Sequence, residues 1–493
     1  MISNPNTDFV RVPEMPPKGM KLMFRPLAAT SNQTPRRTSE IAVCIFLLLH
    51  VPLALLMKLF PTIATAHALL VGIIGLTWAW NGRQLAKVAC IGAYLAGSEV
   101  IWRSVGATVF WEYGKYASIL IFVLALVRGG WRRVPPLPSA YVLALVPATL
   151  VTLLTESLSD ARSMISFNLS GPLALAVSVV FFQRSQLSGR EFLRVLIAFL
   201  APIMGMVAII LLGLASASVT FGRQSNIEAS GGFGANQVSA LLGMGCVVAF
   251  LCVLEKKLPW RWKALFFGLV VIFGVQSALT FSRAGLYYAA TSIAVSCLLM
   301  MKNLRAALQV LAAVLLLYLA GCFIIYPRLD EYTGGALSAR FEDTRLSGRA
   351  EIMDADLKIM AEHPIFGIGV GRAMSERARF FKGFAAHTEF TRLLAEHGFF
   401  GGVAVVLLVI MGIQNVTRAH GRRPVAAALV TYSFCFMSGN GMRMVLPGFA
   451  FGLASVCWAT EKRRASRSRV SGTARQVQIP RLRGTRGGLS PAT

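Results

Sequence analysis

Apolar runs of membrane-spanning length recur along most of the chain, near residues 41–60, 62–80, 84–101, 116–127, 139–155, 167–182, 192–215, 236–254, 263–281, 284–301, 305–326, 399–416, 424–438 and 443–460. A hydrocarbon core about 30 Å thick is crossed by about 17–25 helical residues, and in lipid a helix is one of the few structures that satisfies its own backbone. Such a sequence reads as all-α, a polytopic transmembrane helical bundle of about 12 to 14 spans, with one large loop containing helices on the non-cytoplasmic side. The composition agrees: 55% of residues are hydrophobic and 14% charged. A soluble chain of 493 residues would divide into about three domains. Here the bilayer sets the element length, and a single integral domain is expected.

Basic residues fall on alternate connections: Arg36 and Arg37, Arg83 and Lys87, Arg128, Arg132 and Arg133, Arg184, Arg190 and Arg194, Lys256 and Lys257, Lys302 and Arg305, and Arg418, Arg422 and Arg423. By the positive-inside rule both termini are cytoplasmic. The same rule accounts for most of the net charge of +27, so no nucleic-acid partner is expected. Residues 1–40, rich in proline, read as a disordered cytoplasmic lead. No cleavable signal peptide is recognised there, so the first span is expected to direct insertion. Residues 41–460 read as the integral membrane domain, including an external loop over 327–397. Residues 461–493 read as a basic disordered cytoplasmic tail; it carries nine Lys and Arg and no aromatic side chain to stack on bases, which suits anionic lipid.

All eight cysteines fall within the apolar runs and none has zinc-ligand spacing, so neither a disulfide framework nor a structural metal is indicated. No internal repeat is evident, which counts against an inverted-repeat transporter.

The polar residues with chemical capacity collect on the external side. The loop of about seventy residues between Tyr326 and Glu396 far exceeds the two to eight usual between bundle helices. Within it, apolar residues at helical spacing predict a helix from Gly348 to Glu362, stopped at His363-Pro364. The glycines of Phe366-Gly367-Ile368-Gly369-Val370-Gly371 allow tight turns or a close approach to backbone. Arg223 and Arg283 stand at external membrane boundaries. A lone interfacial arginine ordinarily snorkels to lipid phosphate; several on one side can line a watered cavity. The run from His387 to His397 places a titratable imidazole where the chain re-enters the membrane.

Four stretches, in order, resemble the O-antigen ligase and O-antigen polymerase superfamily: Arg223 with Gly234-Ala235-Asn236-Gln237; Thr280-Phe281-Ser282-Arg283-Ala284-Gly285; Ser347-Gly348-Arg349 with His363 to Gly369; and His387 to Gly401. The resemblance covers about residues 200–420. It implies transfer of a saccharide from an undecaprenyl-diphosphate-linked glycan donor to an acceptor hydroxyl on the periplasmic face of the bacterial inner membrane. The acceptor is either lipid A core (ligase) or a second lipid-linked glycan (polymerase), and the motifs do not separate the two. Such a displacement needs a base for the hydroxyl and fixed positive charge for the departing diphosphate. The resemblance gives His387 the first role; Arg223 and Arg283 suit the second, with Arg349 extending the clamp.

Glu389, Arg392 and Glu396 lie at spacings of three and four and read as an ion-pair ladder; His397 and His363 read as structural. Asp354-Ala355-Asp356 resembles the metal motif of nucleotide-sugar transferases but lies within a helix on the face where such donors are absent. No cofactor and no metal are expected, and the resulting expectation is a metal-independent inverting glycosyltransferase. Two other readings stay open: a transporter or flippase of lipid-linked saccharide, and a protein O-oligosaccharyltransferase.

Overall fold

The computed structural model describes residues 37–130, 135–216, 219–222, 224–255, 257–301, 304–342, 349–380 and 388–458. Two expected site residues, Arg223 and His387, lie outside the described residues, as do most of the expected lead and the whole of the expected tail.

Eighteen α-helices are present among the described residues, with a short 3-10 helix at Glu228–Ser230. The first half of the chain forms α1 (Arg37–Leu59), α2 (Pro61–Trp80), α3 (Leu85–Ser104), α4 (Tyr113–Arg128), α5 (Pro136–Thr155), α6 (Leu158–Arg184), α7 (Gly189–Ser216) and α8 (Ala235–Val253). Then come α9 (Trp260–Leu279), α10 (Ala284–Met300) and α11 (Leu304–Ala320), the last continuing through a wider turn over Gly321–Ile325. The long loop contains α12 (Tyr326–Tyr332), α13 (Ala336–Glu342), α14 (Arg349–Glu362) and α15 (Ala373–Arg377). The chain closes with α16 (Glu389–Arg418), α17 (Arg423–Asn440) and α18 (Leu446–Leu453). One two-residue parallel pairing, β1 (Gln186–Leu187) with β2 (Cys457–Trp458), is the exception to an all-α architecture among the described residues.

Nine of the described helices are long and apolar enough to cross a membrane, and α10 is a shorter apolar helix. The run at 443–460 differs most from its expectation. Its helix, α18, has eight residues, only about 12 Å, and the segment continues to β2. Irregular backbone at such a depth is tolerated where protein surrounds it, and every residue of α18 is buried.

The helices pack through small residues, as expected where lipid competes with apolar side chains and close backbone approach supplies the attraction. A Cβ on Gly97 of α3 would meet Pro202 of α7 at 2.6 Å, and one on Gly243 of α8 would meet the carbonyl oxygen of Gly285 in α10 at 2.2 Å. One polar chain links the first three helices: the Trp102 indole N–H donates to His67 Nδ1 (3.0 Å), His67 Nε2 and His50 Nε2 both reach the Tyr94 hydroxyl (2.9 Å each), and His50 Nδ1 reaches the Phe46 carbonyl (2.7 Å).

The connections separate into two groups. At one end, the turns before β1, α9 and α17 and the strand β2 come together: Cys457 N–H donates to the Ser185 carbonyl, and Arg422 pairs with Glu255 and covers the Trp458 ring. At the other, hereafter the loop end, α14, α15 and the loops after α3, α5, α9 and α17 assemble over the bundle. Arg340 donates to the Phe281 carbonyl (3.0 Å), Thr152 to that of Val370 (3.1 Å), and Arg372 pairs with Glu156.

The segment His363–Gly369 packs against α16. Helix α16 breaks at Gly398 (φ 56°, ψ −131°), which frees backbone groups on either side. The segment takes them up: Ile368 and Gly369 N–H donate to the carbonyls of Ala395 and Glu396 (3.1 and 3.0 Å), and Phe399 N–H donates to Pro364 O at 2.7 Å. The close approach that Gly367 permits is therefore to α16, and that of Gly369 is to Thr152 of α5. Gly367 has φ +69°, and a Cβ there would lie 2.3 Å from the Glu396 carbonyl. Gly367→Ala should cost at least about 2 kcal/mol from left-handed backbone and overlap together. Gly268→Ala, in open space inside α9, should be neutral or stabilising by about 0.5–1 kcal/mol. Thermal unfolding of the two purified variants checks both signs.

Candidate functional site

Thr388 caps the start of α16, its hydroxyl accepting the Phe390 N–H at 3.3 Å. The first two turns that follow carry the ladder read from the sequence, and it is buried. Arg392 pairs with Glu389 and, at 2.6 Å, with Glu396, and donates further to the carbonyl oxygen and side chain of Asn168 in α6. A buried guanidinium is sustained only when all its donors are used.

A second ion pair lies behind this ladder. Arg377 of α15 donates to Asp356 of α14 at 2.6 Å, and Thr391 donates to the other carboxylate oxygen at 2.8 Å. Burial pushes the Asp356 carboxyl above its usual pKa, opposed by the Arg377 charge and these hydrogen bonds. Asp354 instead turns outward to an exposed pair with Lys358. The two aspartates of Asp354-Ala355-Asp356 thus face different ways and do not form one ligand set.

The loop between α17 and α18 completes the arrangement. Its peptide groups are held by charged side chains from both halves of the chain: Glu389 accepts the Met442 N–H (3.1 Å), Lys115 donates to the Met442 carbonyl (3.3 Å), Arg103 donates to the Arg443 carbonyl (3.1 Å), and Glu99 accepts the Val445 N–H (2.7 Å). Arg103 and Lys115 are themselves paired with Glu99 and Glu112. Arg443 lines the same cavity as Arg377, Glu389 and Arg392; burial, then the Arg377 charge, lowers its pKa. Together these elements surround a cavity of about 100 Å³, with Asn168, Thr388, Glu389, Arg392, Glu396 and Arg443 among its walls.

Of the expected residues, Arg283 sits at the start of α10, in a turn where Phe281 adopts φ 57°, the one described non-glycine residue with positive φ. Ser282 donates to Asn236 (2.7 Å), and Gln237 accepts from Arg103 (3.3 Å), so the Ala235–Gln237 motif fastens this turn on one side and the α17–α18 loop on the other. Arg349 opens α14 beside Tyr288 of α10: a Cβ on Gly439 would meet the Tyr288 hydroxyl at 1.7 Å and Arg349 Nη1 at 3.6 Å. Arg283 and Arg349 thus both border the first turns of α10. Phe221 stacks on Phe281, and Asn226 N–H bonds the Thr280 carbonyl, so described neighbours of Arg223 on both sides meet that turn. His387 immediately precedes the capping Thr388. His397 is fully buried, its ring nitrogens without a hydrogen-bond partner among the described residues. Sequence reading missed Arg377, Arg443 and three of the charges that hold the α17–α18 loop, Glu99, Arg103 and Lys115; a charged residue just before an apolar run was the available signal for Arg443.

Between α9 and α10 on one side and α11–α13 on the other runs an apolar groove of about 1260 Å³. Its lining extends from Leu298 and Leu308 at one end of those helices to Tyr326, Leu329 and Phe341 at the loop end. There it reaches the neighbourhood of Arg340, which donates to the Phe281 carbonyl beside Arg283.

The fold and site together define an integral membrane protein, a helical bundle with buried ionic clusters at one end and a helix-depth apolar groove opening toward that end. Residues 268–406 match the model of the O-antigen ligase family, a similarity that supports a likeness to the O-antigen ligase and polymerase superfamily and a function with lipid-linked glycans in general. It includes Arg283, Arg349, His387 and α14 but neither Arg223 nor Arg443. No curated protein matches the chain.

Asp356→Ala, leaving Arg377 without its carboxylate, should destabilise the protein by about 3–5 kcal/mol, and replacing both by Leu and Met should recover much of that loss. Denaturant titration of the single and double variants gives the comparison.

Proposed function

We propose that this protein transfers a saccharide from undecaprenyl diphosphate to an acceptor hydroxyl, as ligase or polymerase in surface polysaccharide assembly (O-antigen, capsule or exopolysaccharide). In this reading the loop end faces the periplasm, the bundle lies in the bacterial inner membrane, both termini are cytoplasmic, and the basic tail lies on anionic lipid. The observation that carries it is the juxtaposition at one end of the bundle of an apolar groove about 1260 Å³ in volume with Arg283, Arg349 and the ionic cavity. A donor with a long isoprenoid tail and a doubly charged head asks for both kinds of surface in that order.

The chemistry is a single displacement. The acceptor oxygen bonds to the anomeric carbon as the bond from that carbon to the diphosphate oxygen breaks, its electron pair leaving with undecaprenyl diphosphate. His387 takes the acceptor proton. Arg223, Arg283 and Arg349 offset the charge on the leaving group, and because a guanidinium stays ionised and presents a planar fork to phosphate oxygens, no metal is required. Attack opposite to the departing group inverts the anomeric configuration. The acceptor is lipid A core or a second lipid-linked glycan.

In proteoliposomes preloaded with lipid-linked donor, His387→Ala should lower transfer about 10²–10⁴-fold, the usual contribution of a general base; a wild-type rate would remove His387 from the mechanism and favour a carrier of lipid-linked saccharide. The base acts when neutral, so the wild-type rate should fall as acid protonates it. Activity should persist in EDTA. Loss of activity restored by a divalent ion would replace the arginine mechanism by a metal-assisted one.

A further inference from the structure

We propose that the cavity between α6, α15, the start of α16 and the α17–α18 loop seats one sugar ring of the glycan beside the reacting centre, with Arg443 as its specificity-determining contact. The inference rests on the transfer reading above and adds a subsite to it.

Charge balance argues for a sugar over a phosphate. Three arginines, Arg377, Arg392 and Arg443, are set against three carboxylates, Asp356, Glu389 and Glu396, in and directly behind the walls. A phosphate site needs surplus positive charge, which the Arg283 and Arg349 side of the loop end supplies better. Walls that carry both arginines and carboxylates, with Asp356 paired to Arg377 behind them, offer fixed donors and fixed acceptors together, the match for ring hydroxyls that do both. Phe167 and Met374, half-exposed at the rim, add apolar surface for the C–H faces of a ring. The size fits as well: about 100 Å³ is several times the about 10–15 Å³ a single water needs and well below the about 300–1,000 Å³ of drug-sized sites. It accommodates one ring and not an oligosaccharide.

The loop that carries Arg443 is also built to hold still. Burying Glu99, Arg103, Glu112 and Lys115 is costly, and three of them, Glu99, Arg103 and Lys115, bond the peptide groups around Arg443. A positioned side chain at the centre of that loop is what such an arrangement secures. Thr388, in the cavity wall, is the residue after His387.

The test is equilibrium binding to the full chain in lipid nanodiscs, comparing undecaprenyl diphosphate bearing one N-acetylhexosamine with undecaprenyl diphosphate lacking a sugar. The wild type should prefer the sugar-bearing lipid. Arg443→Gln, and Met374→Trp, which fills the cavity from its exposed rim, should reduce that preference about tenfold with little change for the sugar-free lipid; Arg379→Gln, in an exposed pair with Glu362, should change neither. If Arg443→Gln does not fold, Met374→Trp decides alone. An unchanged preference overturns the proposal, as does an equal loss for the sugar-free lipid, which would make the cavity a phosphate site. Competition by soluble core oligosaccharide, lost in the same variants, would assign the ring to the acceptor instead of the donor and support the subsite. Because binding needs no turnover, a failed His387 test with an intact sugar preference would overturn the transfer reading alone.

Discussion

A peptide loop inserted into the end of a helical bundle must find partners for its N–H and C=O groups, and water is scarce there. In this protein the α17–α18 loop finds them in Glu99, Arg103, Lys115 and Glu389. That set ties α3 and α4, from the first third of the chain, to α16 and α17 near its end. Each of the four charges is in turn compensated by a neighbour, so the loop, the ladder on α16 and the α3–α4 corner stand or fall together. The cavity is the space this mutual support leaves open.

The remaining features of the loop end serve the same geometry. The break at Gly398 lets the first turns of α16 leave the direction of the membrane helix, and His363–Gly369 closes the backbone groups that the break exposes. The Thr280–Gly285 turn is bound from the other side by Ser239, whose hydroxyl donates to the Ser282 carbonyl and accepts the Gly285 N–H. The apolar groove, the Arg283 and Arg349 side and the ionic cavity are therefore carried on one frame of described helices.

Much of this was legible in the sequence where the signal is local. Apolar runs anticipated the long helices, the periodicity of Ile352 to Met360 anticipated α14, and the spacing of Glu389, Arg392 and Glu396 anticipated their pairing. The failures have one cause, contacts between residues far apart in the chain. Arg443 begins an apolar run and looks like its boundary; only folding brings Arg103, 340 residues earlier, to its carbonyl. Asp356 looked interchangeable with Asp354 until α15 placed Arg377 against one of them. The glycines after Pro364 were open to a ligand or to the chain itself, and the kink that chooses between these is not encoded within the segment.

The chain linking His50, Tyr94, His67 and Trp102 has a direction. An indole N–H can only donate, so His67 accepts at Nδ1 and, as a neutral imidazole, carries its hydrogen on Nε2; a carbonyl can only accept, so His50 carries its hydrogen on Nδ1. Tyr94 is left to receive from His67 and give to His50, and every hydrogen in the series has one place. Histidines within a membrane often mark proton paths. This series begins at a group that only donates and ends at one that only accepts, and its two imidazoles fasten three helices as a one-way stitch.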